Sequence, residues 1–114
     1  EPEARELNAG YVSRMTRGRP WVRVKVAASL DGRTALASGE SKWITGPSAR
    51  KAAHRLRAEC GAVLVGRRTV ELDDPLLTAR VPGVVNQPLR IVLDPHNRLT
   101  GQERVFDETA PSRH

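Results

Sequence analysis

The sequence predicts an α/β fold, a mostly parallel sheet with covering helices. Three observations carry that reading. Ala62-Val63-Leu64-Val65 and Leu89-Arg90-Ile91-Val92-Leu93 are short apolar runs of the kind that fill buried strands. Residues 21–28 alternate Val22, Val24 and Val26 with Arg23 and Lys25, the period of two of a strand with one apolar face. Between these segments lies a basic amphipathic helix, residues 47–59, long enough for a right-handed crossover between the first two strands.

The elements follow in order. Residues 2–17 read as one helix, with Ala4, Leu7, Tyr11 (or Val12) and Met15 spaced by three and four. Arg14, Arg17 and Arg19 favour its C-terminal end, and Gly18 stops it. Its narrow apolar stripe suits a linker that packs on something else. Asp31-Gly32 is a turn dipeptide, and residues 33–45 read as a loop.

Pro47 suits the first helical position, where its missing N–H costs nothing. Ala49, Ala52, Ala53 and Leu56 form the expected apolar face, and Gly61 is a candidate left-handed cap. Ala62–Val65 is expected to be a buried central strand, ended by Gly66. Thr69 to Leu72 has room for one helical turn before Asp73-Asp74-Pro75. Residues 79–88, with Pro82, Gly83, Asn86 and Pro88, read as an exposed loop. Leu89–Leu93 is a strand stopped by Asp94-Pro95, Val105-Phe106 begins another, and the tail from Asp107 shows no element. Such a chain resembles the first part of an α/β domain and leaves sheet edges open.

Composition narrows the function. At 114 residues the chain is at most one domain. Mean hydropathy is −0.47 and no apolar run approaches a membrane span. The N-terminus is acidic and helical, unlike a signal peptide. The formal charge of +6, from 19 Lys+Arg against 13 Asp+Glu, favours anionic partners: nucleic acid or phosphorylated small molecules. Aromatic residues are 4% and do not interleave with basic ones, which argues against a single-strand nucleic-acid platform. One cysteine, Cys60, excludes an internal disulfide and favours the cytoplasm. His54, His96 and His114 are scattered, with no pattern of a zinc site. No membrane, nucleic-acid or metal partner is expected.

The loop Ser38 to Thr45 places Trp43 among Ser, Gly and charges, where an indole serves for stacking on a planar ring better than as a core plug. Lys25 has two readings, a solvated strand face shared with Arg23 or a lysine aimed into a cleft to steer an anion or donate a proton. In Asp73-Asp74-Pro75 one carboxylate serves the turn, while a carboxylate just beyond a strand end can stand at a cleft. There it could meet Lys25. Arg57 lies beside the helix's apolar face, within reach of that cleft, and guanidinium forks match phosphate oxygens. Arg57 and Arg80, each taken alone, read first as solvated surface residues. His54 reads as solvated and Cys60 as a small buried hydrophobe. Neither a dinucleotide glycine fingerprint nor a phosphate loop is present.

Taken in order, several segments carry a more specific likeness. They include Arg19-Pro20-Trp21-Val22, Lys25 through Ala35, Ala37 through Gly46, Leu56-Arg57, Thr69 through Pro75 with Leu77-Thr78, and Gln87 through Asp94. The series is similar to the reductase domain of the bifunctional riboflavin-biosynthesis deaminase/reductase, over roughly residues 8–105. The resemblance implies a dihydrofolate-reductase-like fold that binds NADPH without the glycine fingerprint. It implies reduction of 5-amino-6-(5-phosphoribosylamino)uracil, and a homodimer in intact relatives. By motif position Ala27, Trp43, Thr69 and Asp73 are similar to the family's NADPH contacts. Ser41, Arg57, Leu77 and Arg80 are similar to its contacts to the phosphoribosylaminopyrimidine substrate. Lys25 and Asp73 resemble the pair nearest the chemistry.

On this likeness residues 1–18 are the linker helix to a deaminase domain, and residues 19–114 the N-terminal part of the reductase domain. The deaminase's zinc-site pattern is not in this chain. Pro95 stands where relatives often carry a serine near the cofactor. The family's later glycine-rich segment and a late glutamate fall beyond His114, so the chain alone is expected to bind NADPH poorly. Two other readings remain open: a reductase of the same superfamily acting on a pteridine- or pyrimidine-like substrate, and a basic nucleic-acid-binding domain.

Overall fold

A computed structural model describes residues 2–114. Helices α1 (Pro2–Leu7) and α2 (Ala9–Arg17) precede a long irregular stretch. Helix α3 (Pro47–Glu59), strand β1 (Ala62–Gly66), helix α4 (Arg67–Asp73) and strand β2 (Leu89–Leu93) follow, then a 3₁₀ turn (Arg104–Phe106) and strand β3 (Ser112–Arg113). The strands form one parallel sheet in the order β1-β2-β3. Val63 faces Arg90 and Val65 faces Val92 across the first pair, and Arg90 faces Ser112 across the second.

The alternation of β2 decides where the core sits. Arg90 and Val92 point to the buried side, together with Val63 and Val65 of β1. Val70 of α4, Leu77, Leu99 and Val105 close over them. Each such side chain contributes roughly 1.5–3 kcal/mol when fully removed from water. On the other side Leu64 and Leu93 are more than half exposed, because that face is uncovered among the described residues.

The least ordinary member of this core is Arg90, which is completely buried. Its Nη1 donates to the carbonyl oxygen of Leu76 at 3.3 Å and to Asp107 Oδ1 at 2.8 Å. Its Nη2 donates to the carbonyl oxygens of Asp107 and Ala110. One guanidinium thus braces the hook after α4 against the tail that pairs with β2. Asp94 is a second polar anchor at the end of β2, with its side chain fully buried. Its Oδ2 accepts the N–H groups of Arg98 (2.6 Å) and Leu99 (2.8 Å), and His114 Nε2 lies at 3.3 Å. Desolvation alone would push its carboxyl up. The bonds from Leu99, His114 and Arg98 outweigh it and hold the group below the ordinary carboxylate range.

Several expectations hold. Helix α3 spans residues 47–59 with Pro47 in its first turn, and β2 spans Leu89–Leu93. Gly18 caps α2 at φ 62, its N–H on the Arg14 carbonyl, and the Asp31-Gly32 turn forms with Gly32 at φ 79.

Other elements differ, each for a local reason. The expected single N-terminal helix is broken at Asn8, whose side-chain amide and backbone N–H both take the Ala4 carbonyl. Its stripe stands exposed at Leu7, Tyr11 and Met15, with no partner among the described residues. Residues 21–28 are no strand: a strand needs a neighbour for its N–H and C=O groups, and none pairs with them here, so the expected crossover from this strand to the next does not form. Val22, Val24 and Val26 are accordingly exposed. The parallel crossover present runs from β1 through α4 to β2.

Strand β1 lies at the sheet edge, half-exposed, while β2 is central. Ala49 and Ala52 of α3 are exposed, and the side turned inward is Ala53, His54, Leu56 and Arg57. Helix α3 ends on Cys60 in extended conformation (φ −94, ψ 140) instead of a left-handed Gly61, because the Cys60 N–H already reaches the Leu56 and Arg57 carbonyls. Cys60 is only half-buried. The helical turn expected at Thr69–Leu72 runs longer, over Arg67–Asp73. Within the loop 79–88, Ala79 and Pro88 are buried, and the Gln87 amide clamps both Ala79 N–H (2.7 Å) and C=O (3.0 Å). Val105-Phe106 forms the 3₁₀ turn, not a strand, and the tail supplies β3 because the Pro111 carbonyl accepts the Arg90 N–H at 2.9 Å.

Replacing Arg90 with Leu takes its donors from four carbonyl oxygens and from the Asp107 carboxylate, and is expected to cost about 3 kcal/mol in urea unfolding. Asp94 contributes stability above the ordinary carboxylate pKa of 3.8, and that contribution is lost as pH falls through its depressed value. Asp94→Asn should therefore flatten the acid limb of the stability–pH curve, measured by unfolding between pH 5 and 2, which about brackets that range.

Candidate functional site

Two polar corners stand on either side of the hook Asp73–Thr78. The first is a groove of about 490 Å³ between the loop 34–42 and helix α4. The loop is folded back on itself by Leu36 N–H to the Glu40 carbonyl at 2.8 Å and Gly39 N–H to the Leu36 carbonyl at 2.9 Å. That turn brings Ser41 and Lys42 opposite Arg68, Thr69 and Asp73. Lys42 Nζ lies 3.5 Å from Asp73 Oδ1, so a cation and an anion meet on the groove's wall.

Trp43 follows at once and is 72% exposed. One indole face is covered by the Arg50 guanidinium, 4.4 Å from the ring centroid. Arg50 Nη1 also donates to the Thr45 carbonyl at 2.7 Å, so a helix residue fixes the loop that carries the tryptophan. A cation over an indole is worth about 0.5–1 kcal/mol when exposed. The opposite indole face stays available to a planar ring.

The hook itself is strained. Asp74 (φ 38) and Leu77 (φ 54) both occupy left-handed backbone, which an aspartate tolerates and a leucine does not. Asp74 Oδ1 accepts the Arg104 N–H at 2.9 Å, which gives this carboxylate the structural part and leaves Asp73 at the groove. Leu77 is 4% exposed with its side chain in the core, so the structure does not present it at the groove.

The second corner joins α3 to Thr78 and Arg80. The Thr78 carbonyl accepts Arg57 Nη1 at 3.3 Å, and Arg80 Nη1 reaches Thr78 Oγ1 at 3.3 Å. Burial, and then the charge of Arg80, pull the Arg57 guanidinium below its usual range. Two guanidinium groups this close are a standing attraction for a dianion. His54 is not solvated as expected. Its Nδ1 is 3.2 Å from both the Thr78 carbonyl oxygen and the Arg80 N–H.

Of the residues singled out from sequence, Ser41, Thr69 and Asp73 share the groove, with Trp43 beside Lys42. Arg57 and Arg80 share the second corner with the Thr78 backbone. Lys25 and Ala27 lie in the unpaired stretch, Lys25 exposed and Ala27 half-buried, and among the described residues Asp73 is ion-paired to Lys42, not to Lys25. Sequence reasoning missed Lys42, Arg50, Arg68 and His54. Lys42 was legible as Trp43's neighbour in the polar loop. The other three are ordinary basic residues until the fold brings them to the loops.

Comparison with known proteins decides the family. Residues 20–113 match the model of the RibD C-terminal domain. The chain belongs to the RibD C-terminal domain family. It is 44% identical to the riboflavin biosynthesis protein RibD of Escherichia coli, covering 93% of this chain and 32% of that protein. The Aquifex aeolicus riboflavin biosynthesis protein RibD is 47% identical, over 98% of this chain and 32% of its own. Among solved structures, a Thermotoga maritima diaminohydroxyphosphoribosylaminopyrimidine deaminase/5-amino-6-(5-phosphoribosylamino)uracil reductase superposes with a TM-score of 0.92 at 40% identity, covering 98% of this chain and 32% of that one. Acinetobacter baumannii RibD superposes at 0.84 with 46% identity, over 92% of this chain and 31% of its own. The chain thus spans about a third of the length of these relatives. The fold is the α/β, dihydrofolate-reductase-like one of the RibD C-terminal domain. Among the described residues no helix is long and apolar enough to cross a membrane, and no three His, Cys, Asp or Glu side chains gather as a metal site.

Because Arg50 covers one face of Trp43, Arg50→Ala should make the indole easier to quench. Acrylamide quenching in a Trp21→Phe background, where Trp43 is the sole tryptophan, is expected to rise in the Arg50→Ala variant.

Proposed function

We propose that this RibD C-terminal domain chain carries the N-terminal part of an NADPH-dependent reductase site. That site would convert 5-amino-6-(5-phosphoribosylamino)uracil to its ribitylamino product in riboflavin biosynthesis. The observation that carries the reading is the pairing of two corners on either side of one strained hook. An acid-bearing groove with an open indole stands on one side, and a pair of neighbouring guanidinium groups on the other.

The residues present fit the cofactor. Ser41, Lys42, Arg68 and Thr69 offer donors and positive charge along the groove, and the uncovered Trp43 face suits a planar ring. NADPH, when bound, supplies a hydride. Opening of the substrate's sugar ring leaves an imine; hydride adds at C1′ and a proton adds at the nitrogen. Asp73, held by Lys42, would sit where positive charge on the imine needs an anion. Lys25 belongs to this reading as the second group near the chemistry, favouring the opened form. Arg57 and Arg80 would grip the 5′-phosphate, and that remote binding holds C1′ in place for reduction. Ser41 on the groove and Leu77 in the hook belong to this reading as further substrate contacts.

Steady-state assays on the protein carrying this domain separate the roles. Asp73→Asn is expected to lower kcat about a hundredfold, and Lys25→Ala to lower it as well. Trp43→Ala should raise KM for NADPH, and Arg57→Ala KM for the substrate, each about tenfold or more. Full turnover by both Lys25→Ala and Asp73→Asn would refute the pair.

A further inference from the structure

His54 has one ring nitrogen between two backbone groups. The Arg80 N–H and the Thr78 carbonyl oxygen both lie 3.2 Å from Nδ1. An N–H can only donate, so it needs Nδ1 as a lone pair. The carbonyl can only accept, so it would need Nδ1 protonated. Both bonds cannot exist in one state. The carbonyl has another donor, Arg57 Nη1 at 3.3 Å, whereas among the described residues the Arg80 N–H has Nδ1 as its acceptor. The consistent assignment is Nδ1 bare and Nε2 carrying the hydrogen.

Charge favours the same answer. The charged groups facing the imidazole are Arg57 on its own helix and Arg80 from the loop after the hook, both positive. Desolvation first, then Arg80 and Arg57, disfavour an imidazolium more than the Thr78 carbonyl favours it. His54 is therefore neutral at pH 7.

The consequence is geometric. Arg80 lies on a loop segment, and its side chain can converge with Arg57 only if its backbone is held close to α3. Arg57 grips the segment two residues before Arg80, at the Thr78 carbonyl. His54 grips the Arg80 N–H itself, one helical turn back from Arg57. We infer that His54 is the positioning residue of this basic corner: its Nδ1 lone pair fixes the Arg80 backbone so that Arg57 and Arg80 present their guanidinium groups to one phosphate. This rests on the proposed assignment of Arg57 and Arg80 as the phosphate grip.

The test uses sulfate, a dianion across the neutral pH range, and ribose 5-phosphate, with binding followed by NMR titration. Histidine ring ¹⁵N shifts of the unmodified protein should show Nδ1 of His54 unprotonated at neutral pH; a protonated Nδ1 there overturns the inference. His54→Leu should bind both anions about tenfold more weakly. His54→Asn, whose Oδ1 falls near the place of Nδ1 and can accept the same N–H, should recover most of that loss. Equal affinity in all three proteins overturns the role of His54 while leaving Arg57 and Arg80 intact. Absence of anion binding in the unmodified protein overturns the phosphate grip itself, and this inference with it.

Discussion

A charged side chain with no exposure at all organises this small sheet. Arg90 occupies a core position of the central strand, where the alternation of β2 would ordinarily place an aliphatic residue. Stripping a guanidinium of water is costly, and a single carboxylate partner seldom repays it. Here the cost is offset by number: one carboxylate and four carbonyl oxygens, from Leu76, Arg104, Asp107 and Ala110, receive its donors. None of those carbonyls belongs to a sheet ladder. Asp107 is itself held below its ordinary range, by Thr109 first and then by Arg90. The guanidinium thus does for the hook and the tail what secondary structure does elsewhere.

That brace reaches the candidate site through the hook. Leu76 is fixed from below by Arg90, Leu77 sinks its side chain into the core, and Asp74 ties to the 3₁₀ turn. Two left-handed residues in four are tolerable only because these contacts over-determine the path. The result is a rigid ridge with Asp73 at one end and Thr78 at the other. The groove and the basic corner take their spacing from it.

The sequence was most legible where a local rule and the tertiary fold agree. Pro47 and the basic periodicity gave α3 to the residue, and Leu89–Leu93 bounded by Pro88 and Asp94-Pro95 gave β2. It was least legible where an element needs a partner. The Val22-Val24-Val26 alternation is a sound strand pattern, yet without a neighbour the pattern makes no ladder. Conversely Ser112-Arg113 has no strand signal and becomes one because β2 has a free edge beside it. Arg90 read as one more residue of a strand, since nothing in a sequence distinguishes a guanidinium that will meet five oxygens from one that will meet water. Of the site, the acid, the tryptophan and the two arginines were marked by ordered motifs. His54 and Arg50 became visible only through distances, because their partners are backbone groups or a ring outside their own helix.

Helix α3 shows why the polar ties matter. It has no fully buried residue, so apolar packing does little to hold it. Its attachments are the exposed Arg23–Glu59 pair, which is worth little in water, Arg50 on the Thr45 carbonyl and Trp43, and the His54 and Arg57 contacts to Thr78 and Arg80. Elements held this way belong to the low-stability end of a protein's range. Two of these attachments coincide with the groups proposed to hold the ring and the phosphate. An anion between Arg57 and Arg80 removes their mutual repulsion, and a ring on the open face of Trp43 adds to the stack that Arg50 begins. Ligand binding and the docking of α3 therefore draw on the same contacts, and whatever strengthens one must strengthen the other.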